Sequence, residues 1–154
     1  MRIGFTLDGR DVAVDVEPRR TLADVLRDDL GQTGVHLGCE HGVCGTCTVL
    51  VDGEPVRACL QLTAQVARRH VRTVAGLEGP DGALDPLQEA FSTERGLQCG
   101  FCTPGFLMLL RGALDEDPTV VDDPARLDAL LASNLCRCTG YEGIRNAARR
   151  ARDS

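Results

Sequence analysis

Hydrophobic and polar residues alternate from the start of the chain. Ile3, Phe5 and Leu7 are separated by Gly4 and Thr6, and Val12, Val14 and Val16 by Ala13 and Asp15. A period of two marks half-buried strands, and Asp8-Gly9 between the two runs is a two-residue hairpin signal. Thr21-Leu22-Ala23-Asp24 then reads as a capped helix start, with Leu22, Val25 and Leu26 on one face. Thr48 to Val51 is another run of strand formers. It turns at Asp52-Gly53 and returns through Val56 to Cys59, and His70 to Val74 is the expected last strand.

The stretch from Ala75 to Gly82 is rich in Gly and Pro and reads as a linker. Beyond it the period becomes helical. Asp85-Pro86-Leu87-Gln88 sets an N-cap, a first-turn proline and a capping partner in order, opening a helix to about Arg95. Thr103-Pro104 opens a second helix carrying Phe106, Leu107, Leu109, Leu110 and Leu114. Asp123-Pro124 opens a third with Leu127, Leu130 and Leu131 at helical spacing. The last runs from about Tyr141 to Arg152 and ends in arginines, which suit a helix C-terminus. The expectation is an α+β chain: a β-grasp type domain over residues 1–76, a linker over 77–84, and a four-helix bundle over 85–154.

Two domains within 154 residues would have thin cores, and the absence of Trp makes those cores aliphatic. Bound metal would then help as a cross-link. A formal net charge of −6 gives no electrostatic case for nucleic acid. All 17 basic residues are Arg, which we read as composition bias rather than chemistry. The N-terminus enters its first strand pattern directly, without an apolar signal core or a twin-arginine motif. The longest strongly apolar run, Phe106 to Leu110, is too short to span a bilayer. These features predict a cytoplasmic location and no membrane span; a reducing compartment turns cysteine towards metal rather than disulfide.

The cysteines carry the chemistry. All eight fall into two sets of four: Cys39, Cys44, Cys47 and Cys59 in a C-x4-C-x2-C-x11-C pattern, and Cys99, Cys102, Cys136 and Cys138 as C-x2-C followed by a distant C-x-C. The first spacing matches the plant-type ferredoxin signature for a [2Fe–2S] cluster. Four glycines surround its first three cysteines between Gly34 and Cys47, permitting the close backbone wrapping a small cluster needs. Zinc commonly uses two C-x2-C-like pairs, which this run lacks. A Rieske centre would need a second histidine where Cys47 stands, so His41 reads as a solvated loop residue, and His36 and His70 carry no functional reading.

In the second set both pairs precede predicted helix starts, where free N–H groups and the helix dipole favour thiolates. Spacing alone leaves zinc open there. The neighbouring first set favours iron, because a single cluster carries electrons nowhere.

Three segments together resemble the iron–sulfur subunit of the molybdenum hydroxylases, the xanthine dehydrogenase, aldehyde oxidase and carbon monoxide dehydrogenase family. They are Gly38 to Val49, Gln98 to Gly105 and Asn134 to Tyr141. Thr46 departs from the alanine often found there. The resemblance implies a ferredoxin-like domain, then a helical domain whose cluster lies near a molybdopterin, in a cytosine dinucleotide form, held by a large catalytic subunit. It implies an FAD-binding medium subunit near the other cluster and assembly as a dimer of heterotrimers. It places Gln98 and Cys138 beside the pterin, with Gln98 hydrogen-bonding it, whereas the residue alone reads as a loop-capping amide. The function implied is one-electron transfer from the molybdopterin site through two [2Fe–2S] clusters to FAD or another acceptor. A free two-cluster ferredoxin is the alternative.

Overall fold

The computed structural model describes every residue from Met1 to Ser154. Five strands form one mixed sheet: β1 (Arg2–Leu7), β2 (Arg10–Asp15), β3 (Thr48–Val51), β4 (Glu54–Arg57) and β5 (His70–Arg72). Their order across the sheet is β2-β1-β5-β3-β4. β1 and β5 run parallel, and every other pair is antiparallel. The expected hairpin is present, pairing Ile3 with Val14 and Phe5 with Val12. Ile3, Phe5 and Leu7 point into the core as the alternation required, whereas Val12 and Val14 are only half-buried because β2 is an edge strand.

The sheet grips one short helix. Thr21 caps α1 (Leu22–Asp24), its hydroxyl accepting from the Asp24 N–H at 3.2 Å. The helix then widens into a single π turn, Val25–Asp29. Leu22, Ala23, Val25 and Leu26 are fully buried against the sheet, so the predicted apolar face is the packed one. The last strand ends two residues earlier than expected. Thr73 gives its N–H and hydroxyl to the Asp8 carboxylate, at 2.7 and 2.8 Å, instead of continuing the ladder. Val74–Leu77 and Pro80–Gly82 are short 3-10 turns, and Leu77 is buried among the helices.

Four helices make the second half: α2 (Pro86–Thr93), α3 (Thr103–Glu116), α4 (Pro124–Leu131) and α5 (Glu142–Arg152). The predicted caps form. Asp85 accepts from Leu87 N–H at 2.8 Å while Gln88 accepts from Asp85 N–H at 2.9 Å, and Asp123 accepts from Ala125 N–H at 2.9 Å. A cap of this kind is worth about 1 kcal/mol. The helical core centres on Phe91, Phe106, Met108, Leu110, Leu127 and Ile144. Leu50 of β3 also belongs to it, because α3 lies against the outer face of β3, and all four β3 residues are therefore buried. No helix is long and apolar enough to cross a membrane.

Candidate metal centres

The first cysteine set is built on the loop between the π turn and β3. Glu40, Gly42 and Gly45 take positive φ values there, and the chain coils back so that N–H groups face a sulfur. The Cys44 N–H lies 3.3 Å from Cys39 Sγ. The N–H groups of Cys44, His41 and Val43 pull the Cys39 thiol down to about 6. Cys47 and Cys59 lie deeper, both buried. Burial pushes the Cys47 thiol up to about 11, against the Cys59 N–H, and the Cys59 and Cys44 thiols beside it push the same way. Cys59 arrives just beyond β4, as the returning strand required.

The second set closes at one end of the helical half. Cys102 is the N-cap residue of α3. Cys136 and Cys138 sit in the turn before α5, which Tyr141 opens with a left-handed backbone at φ 70°. Cys99 and Cys138, far apart in sequence, bring their sulfurs to 3.6 Å. Cys102 and Cys136 form the inner pair. Burial pushes the Cys102 thiol up to about 12, reinforced by the neighbouring Cys136 and Cys99 thiols. Burial also acts upwards on Cys136, but the hydroxyl and N–H of Thr139 and the N–H of Cys138 outweigh it, and the thiol falls below its ordinary range. Thr139 Oγ1 stands 3.2 Å and its N–H 3.5 Å from Cys136 Sγ. Tyr141 fixes the same turn: its hydroxyl accepts from the Cys136 N–H at 3.0 Å and donates to the Asn134 carbonyl at 3.2 Å.

Each set thus divides into two pairs. Cys39 with Cys44 and Cys99 with Cys138 are the outer pairs; Cys47 with Cys59 and Cys102 with Cys136 are the inner ones. Two thiol pairs per set, with N–H groups aimed at sulfur, suit a two-iron group in which each iron takes two thiolates. Both sites fit a [2Fe–2S] cluster.

The two sets face each other across the junction of the two halves. The Leu135 N–H donates to the Cys44 carbonyl at 2.9 Å, and Leu135 is adjacent to Cys136. The Asn134 amide donates to the Gly45 carbonyl at 3.1 Å from a fully buried position. Arg57 bridges the Thr48 hydroxyl at 2.7 Å and the Ser133 carbonyl at 2.6 Å. At Gly105, in the first turn of α3, a Cβ would meet the Gly45 carbonyl oxygen and Thr46 Cα, so only glycine lets the helix approach this loop.

Gln98 is exposed and lines a pocket of about 180 Å³ with all four cysteines of the second set, Phe101, Leu135 and Arg137. Leu97, Phe101 and Leu135 expose large apolar surfaces around this set, as do Val43, Leu60 and Leu62 near the other. Sequence reasoning missed Thr139, Tyr141, Asn134 and Arg57. A Thr one residue after Cys138, ahead of a helix, was the available signal for Thr139. The others depend on tertiary approach and left none.

Two family models match the chain: a 2Fe-2S iron-sulfur cluster binding domain over residues 5–73, and a [2Fe-2S] binding domain over residues 73–149. Among curated relatives, the nicotine 6-hydroxylase small subunit of Paenarthrobacter nicotinovorans is 52% identical, covering 94% of this chain and 85% of its own. The 6-hydroxypseudooxynicotine dehydrogenase complex subunit beta of the same organism is 50% identical, over 93% and 88%. Among solved structures, a chain of quinoline 2-oxidoreductase from Pseudomonas putida 86 superposes with a TM-score of 0.93 at 43% identity, covering 99% of this chain and 94% of that one.

Proposed function

The chain belongs to the small iron–sulfur subunits of the molybdenum hydroxylases, and from that premise we propose that it is the electron-carrying subunit of such a complex, with each cysteine set holding one [2Fe–2S] cluster. Cys39, Cys44, Cys47 and Cys59 are assigned to one cluster. Cys99, Cys102, Cys136 and Cys138 are assigned to the other. Bound there, a [2Fe–2S] group takes up and gives back one electron at a time.

The chain's residues supply the rest. Cys47 and Cys59 would hold the first group from buried positions, and Cys102 and Cys136 the second from half-buried ones. The outer pairs are more exposed, Cys99 and Cys138 most of all. N–H donors from Cys44, Val43, Cys138 and Thr139 offset negative charge on sulfur. The exposed face around Cys99 and Cys138, with Leu97 and Leu135, is the one we assign to a large molybdopterin-binding subunit. Gln98 is offered to the pterin, in its cytosine dinucleotide form, and Cys138 serves as both ligand and pterin neighbour. The face around Val43 and Leu60 is assigned to an FAD-binding subunit, in a dimer of heterotrimers located in the cytoplasm. Residues 1–76 and 85–154 are assigned as the two cluster domains, joined by 77–84.

The observation that carries this reading is the arrangement of two thiol quartets on opposite sides of one junction, each opening to its own apolar face. Apolar side chains exposed beside both quartets suit a chain built into a complex better than a freely diffusing ferredoxin. The test is the cofactor content of anaerobically purified chain, expected at about four irons with matching sulfide from two binuclear clusters. Low-temperature EPR of the reduced protein should give two signals. Cys102→Ser should remove one of them and leave the other. Two surviving signals in that variant would overturn the ligand assignment.

A further inference from the structure

The Phe101 carbonyl lies between Cys99 and Cys102, and it accepts two side-chain bonds from the other half of the molecule. Thr46 Oγ1 donates to it at 2.8 Å. His36 Nδ1 lies 2.7 Å away. A carbonyl can only accept, so the His36 Nδ1 carries the proton. The imidazole also stacks on the Phe101 ring, with centroids 5.1 Å apart and planes 18° from parallel. Thr46 itself lies between Cys44 and Cys47 and is almost fully buried, at 3% exposure. A Cβ built on Gly38 would sit 3.2 Å from Cys44 Sγ, 3.4 Å from the Phe101 ring and 3.4 Å from the Thr46 methyl. A ring from the second cysteine loop, the threonine and a sulfur of the first set therefore converge over a residue with no side chain.

We propose that Thr46 is a positioning residue for electron transfer between the two cysteine sets, acting through its hydroxyl bond to the Phe101 carbonyl. Thr46 sits between Cys44 and Cys47, and Phe101 between Cys99 and Cys102, so the bond links the two sets within two residues of a cysteine at either end. The junction is otherwise bridged near the cysteines by His36 on the same carbonyl and by the segment from Ser133 to Leu135. Thr46 ties in the loop from Cys99 to Cys102, so both arms of the second set are held against the first. The Thr46 side chain is buried and has little freedom, and losing its hydroxyl would leave the Phe101 carbonyl to His36 alone. In the step served, one electron leaves the reduced group on the helical set and is taken up by the oxidised group on the sheet set. No bond forms or breaks and no proton moves.

The inference rests on the two-cluster reading, and its test separates the two. Fewer than two EPR signals from the unaltered chain would fail that reading; two signals there leave only Thr46 at issue. Thr46→Val keeps the shape and removes the donor, and Thr46→Ser keeps the donor and removes the methyl. In the full chain with both clusters present, Thr46→Val should slow internal electron redistribution after rapid partial reduction several-fold. It should also weaken the spin–spin splitting of the fully reduced EPR spectrum, with both midpoint potentials unchanged. Thr46→Ser should match the unaltered chain in both measurements. The proposal is overturned if Thr46→Val matches the unaltered chain, or if Thr46→Ser is impaired as much as Thr46→Val. Should Thr46→Val lose a signal, Thr46→Ala carries the same comparison with Thr46→Ser.

Discussion

At the scale of single residues, Thr139 offers two polar groups to one sulfur. Its hydroxyl and N–H both approach Cys136 Sγ, and together with the Cys138 N–H they outweigh the burial that would keep that thiol protonated. The same donors would stabilise the extra negative charge of a reduced cluster more than the charge of an oxidised one. Thr139→Val should therefore lower the midpoint potential of one cluster and leave the other where it was. An EPR-monitored redox titration reads both, and an unshifted pair of midpoints would show that the hydroxyl bond is not felt by the cluster. Residues of this kind were hard to find in the sequence. The cysteines could be proposed as ligands because thiolate ligation needs a fixed residue type at a spacing the backbone can wrap. Thr46, His36 and Thr139 are ordinary residues whose partners are a carbonyl or a sulfur brought close by folding. Thr46 attracted notice only as a departure from alanine, and the structure gives the departure a bond.

At the scale of elements, α3 carries the docking of one half on the other. Gly105 and Gly112 lie seven residues apart, two turns along one face. That face meets the loop at Gly45 and Thr46 at one end and β3 with β4 at the other. A Cβ on Gly112 would lie 2.7 Å from Pro55 Cγ and 2.9 Å from Leu50 Cδ2. Glycine inside a helix costs about 1 kcal/mol relative to alanine, so on propensity alone either Gly→Ala change should stabilise. Overpacking costs about 1–3 kcal/mol, and here it opposes the gain. Gly105→Ala should be the more destabilising of the two, because it would meet backbone at Gly45 and Thr46, whereas Gly112→Ala meets side-chain atoms that can shift. Denaturant midpoints of the two variants check the order. Helix starts were legible because Asp85 and Asp123 advertise their caps locally. The length of β5 was not, since Thr73 leaves the ladder for a carboxylate on a distant hairpin turn. The π turn after α1 left no mark in the apolar spacing either.

At the scale of the whole molecule, the two cores meet through the packing of α3 on β3 and β4 and through bonds made by the cysteine loops. The bonds from Leu135 to Cys44, from Asn134 to Gly45 and from Thr46 and His36 to Phe101 all start or end within a few residues of a proposed ligand. The sheet core and the helical core are filled mainly by aliphatic and aromatic side chains, with Cys47 and Cys59 in the first and Cys102 and Cys136 packed against the second. Binding free energy at such metal sites is also folding free energy, but here its share falls on the junction and not evenly on the fold. Iron removal by a chelator under reducing conditions should therefore loosen the molecule in a definite order. Backbone amide exchange followed by mass spectrometry should speed up first over residues 36–47, 98–102 and 133–139. Amides within β1, β3 and the middle of α3 should keep their protection, because their opening is governed by core packing and reports the larger unfolding free energy. Equal loss of protection in strands and loops would mean that the clusters hold up the cores as well, and that neither half has enough buried surface to stand without them. The alternating and helical patterns announced both cores, whereas the junction is written in main-chain groups and glycines that no periodicity records.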